Sequence, residues 1–219
     1  MNQQVSQFVS AVVIALIGAS AAHAQQVTPD AAAGEKKAAM CIGCHGIPGY
    51  QASFPEVHKV PMIGGQSAKY IAWALAGYQK GDRKHPTMKA IAASLSEQDI
   101  ADLAAYYAKQ NVGGAEKSVP AAPPAAAALL NKGECASCHG TDFNTTVSAD
   151  YPKLAGQHAD YLYVALKAYQ AIGKPNIGRT NPTMQTRVQG FTNDELKLLA
   201  NYLGSLKTDL SVQPQSSFR

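Results

Sequence analysis

The strings Cys41-Ile42-Gly43-Cys44-His45 and Cys135-Ala136-Ser137-Cys138-His139 decide the reading of this 219-residue chain. Each is Cys-x-x-Cys-His, the pattern for covalent attachment of a c-type haem. Two thiols three apart on a helical turn add across the two vinyl groups on one edge of a porphyrin, and the next histidine lies under the ring with its imidazole in reach of the iron. The two strings use all four cysteines of the chain. A Cys-x-x-Cys pair alone also serves as a redox disulfide or as half of a tetrahedral zinc site. Neither explains an immediately following histidine, twice. Cys41, Cys44, Cys135 and Cys138 are the expected attachment points of two covalently bound haem c groups, and His45 and His139, as neutral imidazoles, the expected fifth ligands of the two irons.

Outward from these strings the chain repeats itself. Pro61-Met62-Ile63-Gly64-Gly65-Gln66 answers to Pro152-Lys153-Leu154-Ala155-Gly156-Gln157, Gly77-Tyr78-Gln79 to Ala168-Tyr169-Gln170, and His85-Pro86-Thr87-Met88 to Asn181-Pro182-Thr183-Met184. Ile100, Leu103, Ala104 and Tyr107 answer in the same order to Leu196, Leu199, Ala200 and Leu203. The repeat supplies the sixth ligands: Met88 and Met184 follow Pro-Thr at equivalent places, expected in loops between two helices. A thioether is a soft, uncharged ligand that favours ferrous iron and raises the potential. Other donors fit less well. Met62 matches Lys153, and Met40 adjoins Cys41 and cannot reach the far face. His58 and His158 have no counterparts in the other half and are expected at the surface. His85 sits close to Met88 and is the one alternative ligand for the first iron.

The pattern is all-α, since apolar residues recur at helical spacing and no long alternation appears. A helix from about Asp30 carries Cys41 and Cys44 at its end. A second bears Tyr70, Ile71, Ala74, Leu75 and Tyr78 as a stripe and stops at Gly81. Ser96 opens a third, and Thr192-Asn193-Asp194-Glu195 is a capping box before the last helix. These stripes, with Trp73 and most tyrosines, read as core and haem-packing surface. Residues 111–124 hold Gly113-Gly114 and then Pro120, Pro123 and Pro124, a linker that is loose at one end and stiff at the other. The expected division is therefore a targeting segment at 1–24, one haem-binding domain at 25–110, the Gly/Pro/Ala linker at 111–124 and a second haem-binding domain at 125–219. Pro124 suits the first turn of the second haem-bearing helix. Each half is small enough that its haem must form much of its core.

Residues 8–22 are almost wholly apolar or small, and Ala22-His23-Ala24 is an A-x-A cleavage site. The run is short for a membrane span. It lacks the usual preceding Lys or Arg, which leaves an uncleaved anchor as the alternative to cleavage after Ala24. No other stretch is apolar enough to insert in a membrane, so the mature chain is expected to be soluble and periplasmic. The formal charge is +4. Without a polybasic run that balance gives no reason to expect nucleic acid or anionic lipid as a partner.

Taken together, the two Cys-x-x-Cys-His strings, Pro-Lys-Leu-Ala-Gly-Gln from Pro152 with its weaker copy from Pro61, and the two Pro-Thr-Met strings resemble the two-haem class I cytochromes c of the cytochrome c-four type. The resemblance covers nearly all of the mature chain. It implies two tandem cytochrome c-like domains facing one another, each iron held by His and Met. It also implies that the Pro61 and Pro152 carbonyls bond the far nitrogens of His45 and His139. The first copy lacks the Lys-Leu-Ala of the second, so the first haem's surroundings, and its potential, are expected to differ. Six fixed ligands leave no open position for a substrate, so the expected function is Fe(III)/Fe(II) electron carriage, not catalysis. The resemblance implies redox protein partners, a quinol-oxidising complex and a terminal oxidase. A cytochrome subunit of a dehydrogenase or reductase would have the same ligands. A dihaem peroxidase would need one displaceable sixth ligand, against which the equivalent Met strings argue.

Overall fold

The computed structural model describes residues 27–113 and 119–214. The targeting segment at 1–24, the middle of the linker and the last five residues lie outside them. In the first half, Asp30 caps α1 (Ala31–Lys37) by accepting from the Ala32 amide, and α2 (Ala39–His45) follows after a break at Ala38. Two short strands come next, β1 (Gln51–Ala52) and β2 (His58–Lys59), paired antiparallel. Ser67 caps α3 (Ala68–Lys80), which ends on Gly81 in the left-handed conformation that glycine adopts without strain. Then come β3 (Arg83–Lys84), α4 (Pro86–Ala93) and α5 (Glu97–Ala108), the last opened by a capping box of Ser96 and Asp99.

The second half repeats the plan with α6 (Pro124–Lys132), α7 (Ala136–His139), α8 (Ala159–Gln170), β4 (Gly178–Arg179), α9 (Pro182–Val188) and α10 (Asn193–Gly204). Pro124 occupies the first turn of α6, and Thr192 and Glu195 form the capping box of α10, as the sequence predicts. In each half the first helix packs on the last, and the long middle helix packs on the last from another side. Gly34 allows the first of these crossings, because a Cβ there would overlap the Asp102 carbonyl of α5. Lys37 of α1 binds Asp99 and Asp102 of α5 at 2.6 and 2.8 Å.

The fold is all-α as expected, with a few two-residue strands besides: β3 and β4 pair across the two halves, Arg83 opposite Arg179. Two expectations are corrected. Met88 and Met184 are not in loops but at the third positions of the short helices α4 and α9, their amides bonded to the side chains of His85 and Asn181. His58 is buried, not superficial, because it lies in the seam between the halves, its ring 6.1 Å from that of Tyr161 and its Nδ1 2.8 Å from the Glu56 carbonyl; His158 is half-buried, at the start of α8.

The seam is close to a two-fold arrangement, since like elements exchange like contacts. Gln66 bonds the backbone of Lys153, and Gln157 that of Met62. Lys167 pairs with Glu56 and Lys69 with Asp150. The chain beyond α10 then crosses to the first half. Ser211 and Gly64 exchange two backbone hydrogen bonds, and Val112 donates to the Asp209 carbonyl. Leu210 beside them is buried.

The two cores differ in size. Among the described residues, the buried apolar cluster of the second half runs from Leu129 through Phe143 and Leu162 to Leu206. That of the first half comprises only Ala38, Ile71, Leu103, Ala104 and Tyr107.

Candidate haem sites

Each site begins with a helix end. Helix α2 sets Cys41 and Cys44 on one side of its last turn and brings His45 to its final position, and α7 does the same for Cys138 and His139, with Cys135 just before it. None of the four cysteines is in a disulfide. Burial pushes the Cys41 and Cys135 thiols above their ordinary value. Among the described residues no three His, Cys, Asp or Glu side chains converge, so a zinc site finds no further ligands around either pair.

The histidines are oriented from behind. His45 Nδ1 lies 2.8 Å from the Pro61 carbonyl, and His139 Nδ1 2.9 Å from that of Pro152. A carbonyl can only accept, so each Nδ1 carries the proton and each Nε2 keeps its electron pair for a metal. Burial pushes both imidazoles below their ordinary value, with the proline carbonyls pulling the other way. Both rings therefore stay neutral, as iron ligation requires.

One cavity of about 710 Å³ joins the two halves. Cys41, Cys44, His45 and Met88 line it from the first half, and Cys135, Cys138, His139 and Met184 from the second. His85, the alternative ligand, also borders it, but its Nδ1 accepts from the Met88 amide at 3.3 Å and so caps α4. Trp73 is 38% exposed and stacks on Tyr70 at the cavity wall, so it serves the haem side and not the core.

Sequence reasoning missed Arg83 and Arg179. Both border the cavity. Arg83 is buried, donates to the Tyr70 hydroxyl at 3.1 Å and lies over the rings of Tyr70, Trp73 and Tyr78. Arg179 donates to the Tyr161 hydroxyl at 2.9 Å and lies over Tyr161 and Tyr169. Among the described residues neither guanidinium pairs with a carboxylate, and Arg83 Nε is buried with no protein partner. Burial pushes the Tyr70 phenol up to about 12, so it stays neutral, whereas Arg179 and Arg83 pull the buried Tyr161 phenol below its ordinary value. A signal was present: each arginine stands five residues before its methionine, which extends the repeat upstream of the Pro-Thr-Met strings.

Paired free thiols, imidazoles with an available Nε2, thioethers on the same cavity and cations short of a counter-charge fit a porphyrin with vinyl, iron and propionate groups. The fold and these sites define a two-domain c-type cytochrome. The profile of the family Cytochrome c matches residues 31–110 and 125–207, one copy per half. The chain is 31% identical over 186 residues to cytochrome c4 of Pseudomonas aeruginosa, which covers 81% of this chain and 89% of that protein. It is 30% identical over 187 residues to a thiosulfate dehydrogenase electron acceptor of Stutzerimonas stutzeri, covering 79% and 82%. The crystal structure of reduced recombinant cytochrome c4 from Pseudomonas stutzeri superposes with a TM-score of 0.58 at 28% identity, over 82% of this chain and all of that one. The chain belongs to the cytochrome c family and, within it, to the two-haem cytochrome c4 type. Its cofactors are two covalently bound haem c groups, and it is a dihaem electron carrier that works with redox protein partners. No helix among the described residues is long and apolar enough to cross a membrane.

Proposed function

We propose that His45 with Met88, and His139 with Met184, are the axial pairs of two six-coordinate irons, the haems being joined to Cys41 and Cys44 and to Cys135 and Cys138. The observation that carries this is the duplication. In each half an oriented neutral histidine and the third residue of a Pro-Thr-Met helix border the same cavity. Bound haem supplies the Fe(III)/Fe(II) couple. The protein supplies a closed ligand set, so that the centre exchanges an electron with little ligand movement. Arg83 and Arg179 hold haem propionates, which provide the anions these cations lack. The domains are 25–110 and 125–219, joined by 111–124, and the protein works in the periplasm after loss of residues 1–24.

In this reading the chain takes electrons from a quinol-oxidising complex and gives them to a terminal oxidase. The relative that is an electron acceptor of thiosulfate dehydrogenase supports a second reading, with a dehydrogenase as the donor. Co-purification from native extract separates the two by the enzyme that elutes with the cytochrome.

The test of ligation is the ferric spectrum. Met88→Ala and Met184→Ala are each expected to remove about half of the sulfur-to-iron charge-transfer band, and the double variant all of it. Each single variant is expected to bind carbon monoxide when reduced, whereas the parent protein does not. A band unchanged in either variant rejects that methionine, and peroxide turnover by the parent protein would favour the peroxidase class.

A further inference from the structure

The repeated glutamines of the Gly-Gln strings, Gln66 and Gln157, border the cavity without a ligand's role and are among the most buried polar side chains, each 4% exposed. Gln157 crosses the seam to the first half. Its Nε2 donates to the Met62 carbonyl at 2.9 Å, and its Oε1 accepts from the Met62 amide at 3.0 Å and from the His158 amide at 3.0 Å. Gln66 makes the mirror set, with its Nε2 to the Lys153 carbonyl at 3.1 Å and its Oε1 accepting from the amides of Lys153 and Ser67 at 2.9 and 3.0 Å.

The residues they grip are not arbitrary. The amide of Met62 and the carbonyl of Pro61 are the two ends of one planar peptide unit. That carbonyl accepts from His45 Nδ1. The Lys153 amide and Pro152 carbonyl form the corresponding unit, which accepts from His139. A hydrogen-bonded line therefore runs from the glutamine of one half, through a single peptide, to the haem-motif histidine of the other. Bonds in such a line polarise one another: an acceptor on the N–H end makes the carbonyl end a better acceptor. A better acceptor behind the ring fixes its orientation and raises its basicity toward a metal.

We propose that Gln157 is a positioning residue for His45 and Gln66 for His139, so that each half tunes the axial histidine of the other. The proposal rests on His45 and His139 being iron ligands. It makes the seam part of both metal centres: parting the halves would slacken both histidines, and the holoprotein's redox properties belong to the docked pair.

The test uses Gln157→Leu and Gln66→Leu in the holoprotein, with Lys69→Ala as a control that breaks a contact across the seam but leaves the glutamines in place. The readout is solvent exchange of the two ring Nδ1 protons in the ferrous state, assigned through the backbone of each Cys-His pair. Loss of the glutamine's bonds is expected to speed exchange about tenfold, the scale of one net hydrogen bond. Gln157→Leu should speed the His45 proton alone, Gln66→Leu the His139 proton alone, and Lys69→Ala neither. The potential of the affected haem should rise, because a less basic imidazole stabilises Fe(III) less. An effect confined to the variant's own half, or equal at both rings, overturns the proposal. If the leucine variants do not fold, amide exchange in the parent protein decides: Met62 and Lys153 amides as fast as those of open loops would overturn it, and strong protection of both would support it. Absence of slowly exchanging ring protons in the parent would count against histidine ligation itself, a different failure from an uncrossed response.

Discussion

Arg83 shows what a single residue's surroundings demand. A buried guanidinium with an unpartnered Nε, a second guanidinium opposite it and the rings of Tyr70, Trp73 and Tyr78 around it is costly unless an anion completes the site. Replacing it by Met is expected to lower the potential of at least one haem, because a positive charge near the iron favours the reduced state. The size should be about 1–2 kcal/mol at the effective dielectric of a protein interior, read by redox titration against the parent. An unchanged titration would remove Arg83 from the propionate site. At this scale the sequence was legible wherever the chemistry is local. Cys41, Cys44 and His45 announce themselves by spacing, and Ser96 and Thr192 by their capping partners three residues on. It was illegible where the environment comes from the other half. Nothing near Arg83 or His58 in the chain says that Tyr161 and Arg179 will close over them.

At the scale of the element, the contact of α1 with α5 joins the haem-bearing start of the first half to its last helix. Asp102 is the buried member. It accepts from Lys37, the Asp30 amide and Gln98 at 2.7–2.8 Å, and the Lys37 hydrogen bond above all holds its carboxyl below the usual carboxylate range. Its folded value is depressed, so the stability it contributes is complete above the unfolded value of about 4 and is lost as pH falls through the folded value. Asp102→Asn is expected to cost roughly 2–3 kcal/mol in urea denaturation at neutral pH and to flatten the acid limb below about pH 4. A variant whose loss is the same at pH 3 and pH 7 would show that packing, not charge, is what Asp102 provides. The helices themselves were readable from apolar period and caps. The strands were not, since β3 and β4 are two residues each and exist only as partners across the seam. The short helices α4 and α9 hid in the same way: Pro-Thr-Met reads as loop until His85 and Asn181 are seen to cap it.

Across the whole molecule the duplication is unequal. The second half has a broad buried cluster of its own, whereas the first has a small one and must draw more of its interior from the porphyrin. Blocking attachment with Cys41→Ser and Cys44→Ser is therefore expected to strip amide-exchange protection from α3 and α5. The matching change at Cys135 and Cys138 should leave most of α8 and α10 protected. Equal loss in both would mean that the docked halves stand or fall as one unit. The crossing of the chain beyond α10 could not be foreseen, because the polar tail carries no motif and its partners are 147 positions back, Ser211 to Gly64. That pairing sets an order on assembly. In a chain made amino terminus first, residues 61–66, the loop behind His45, exist long before the segment around Ser211 that borders them. The first cradle must wait with an open flank, and it shuts like a clasp only when the segment around Ser211 arrives.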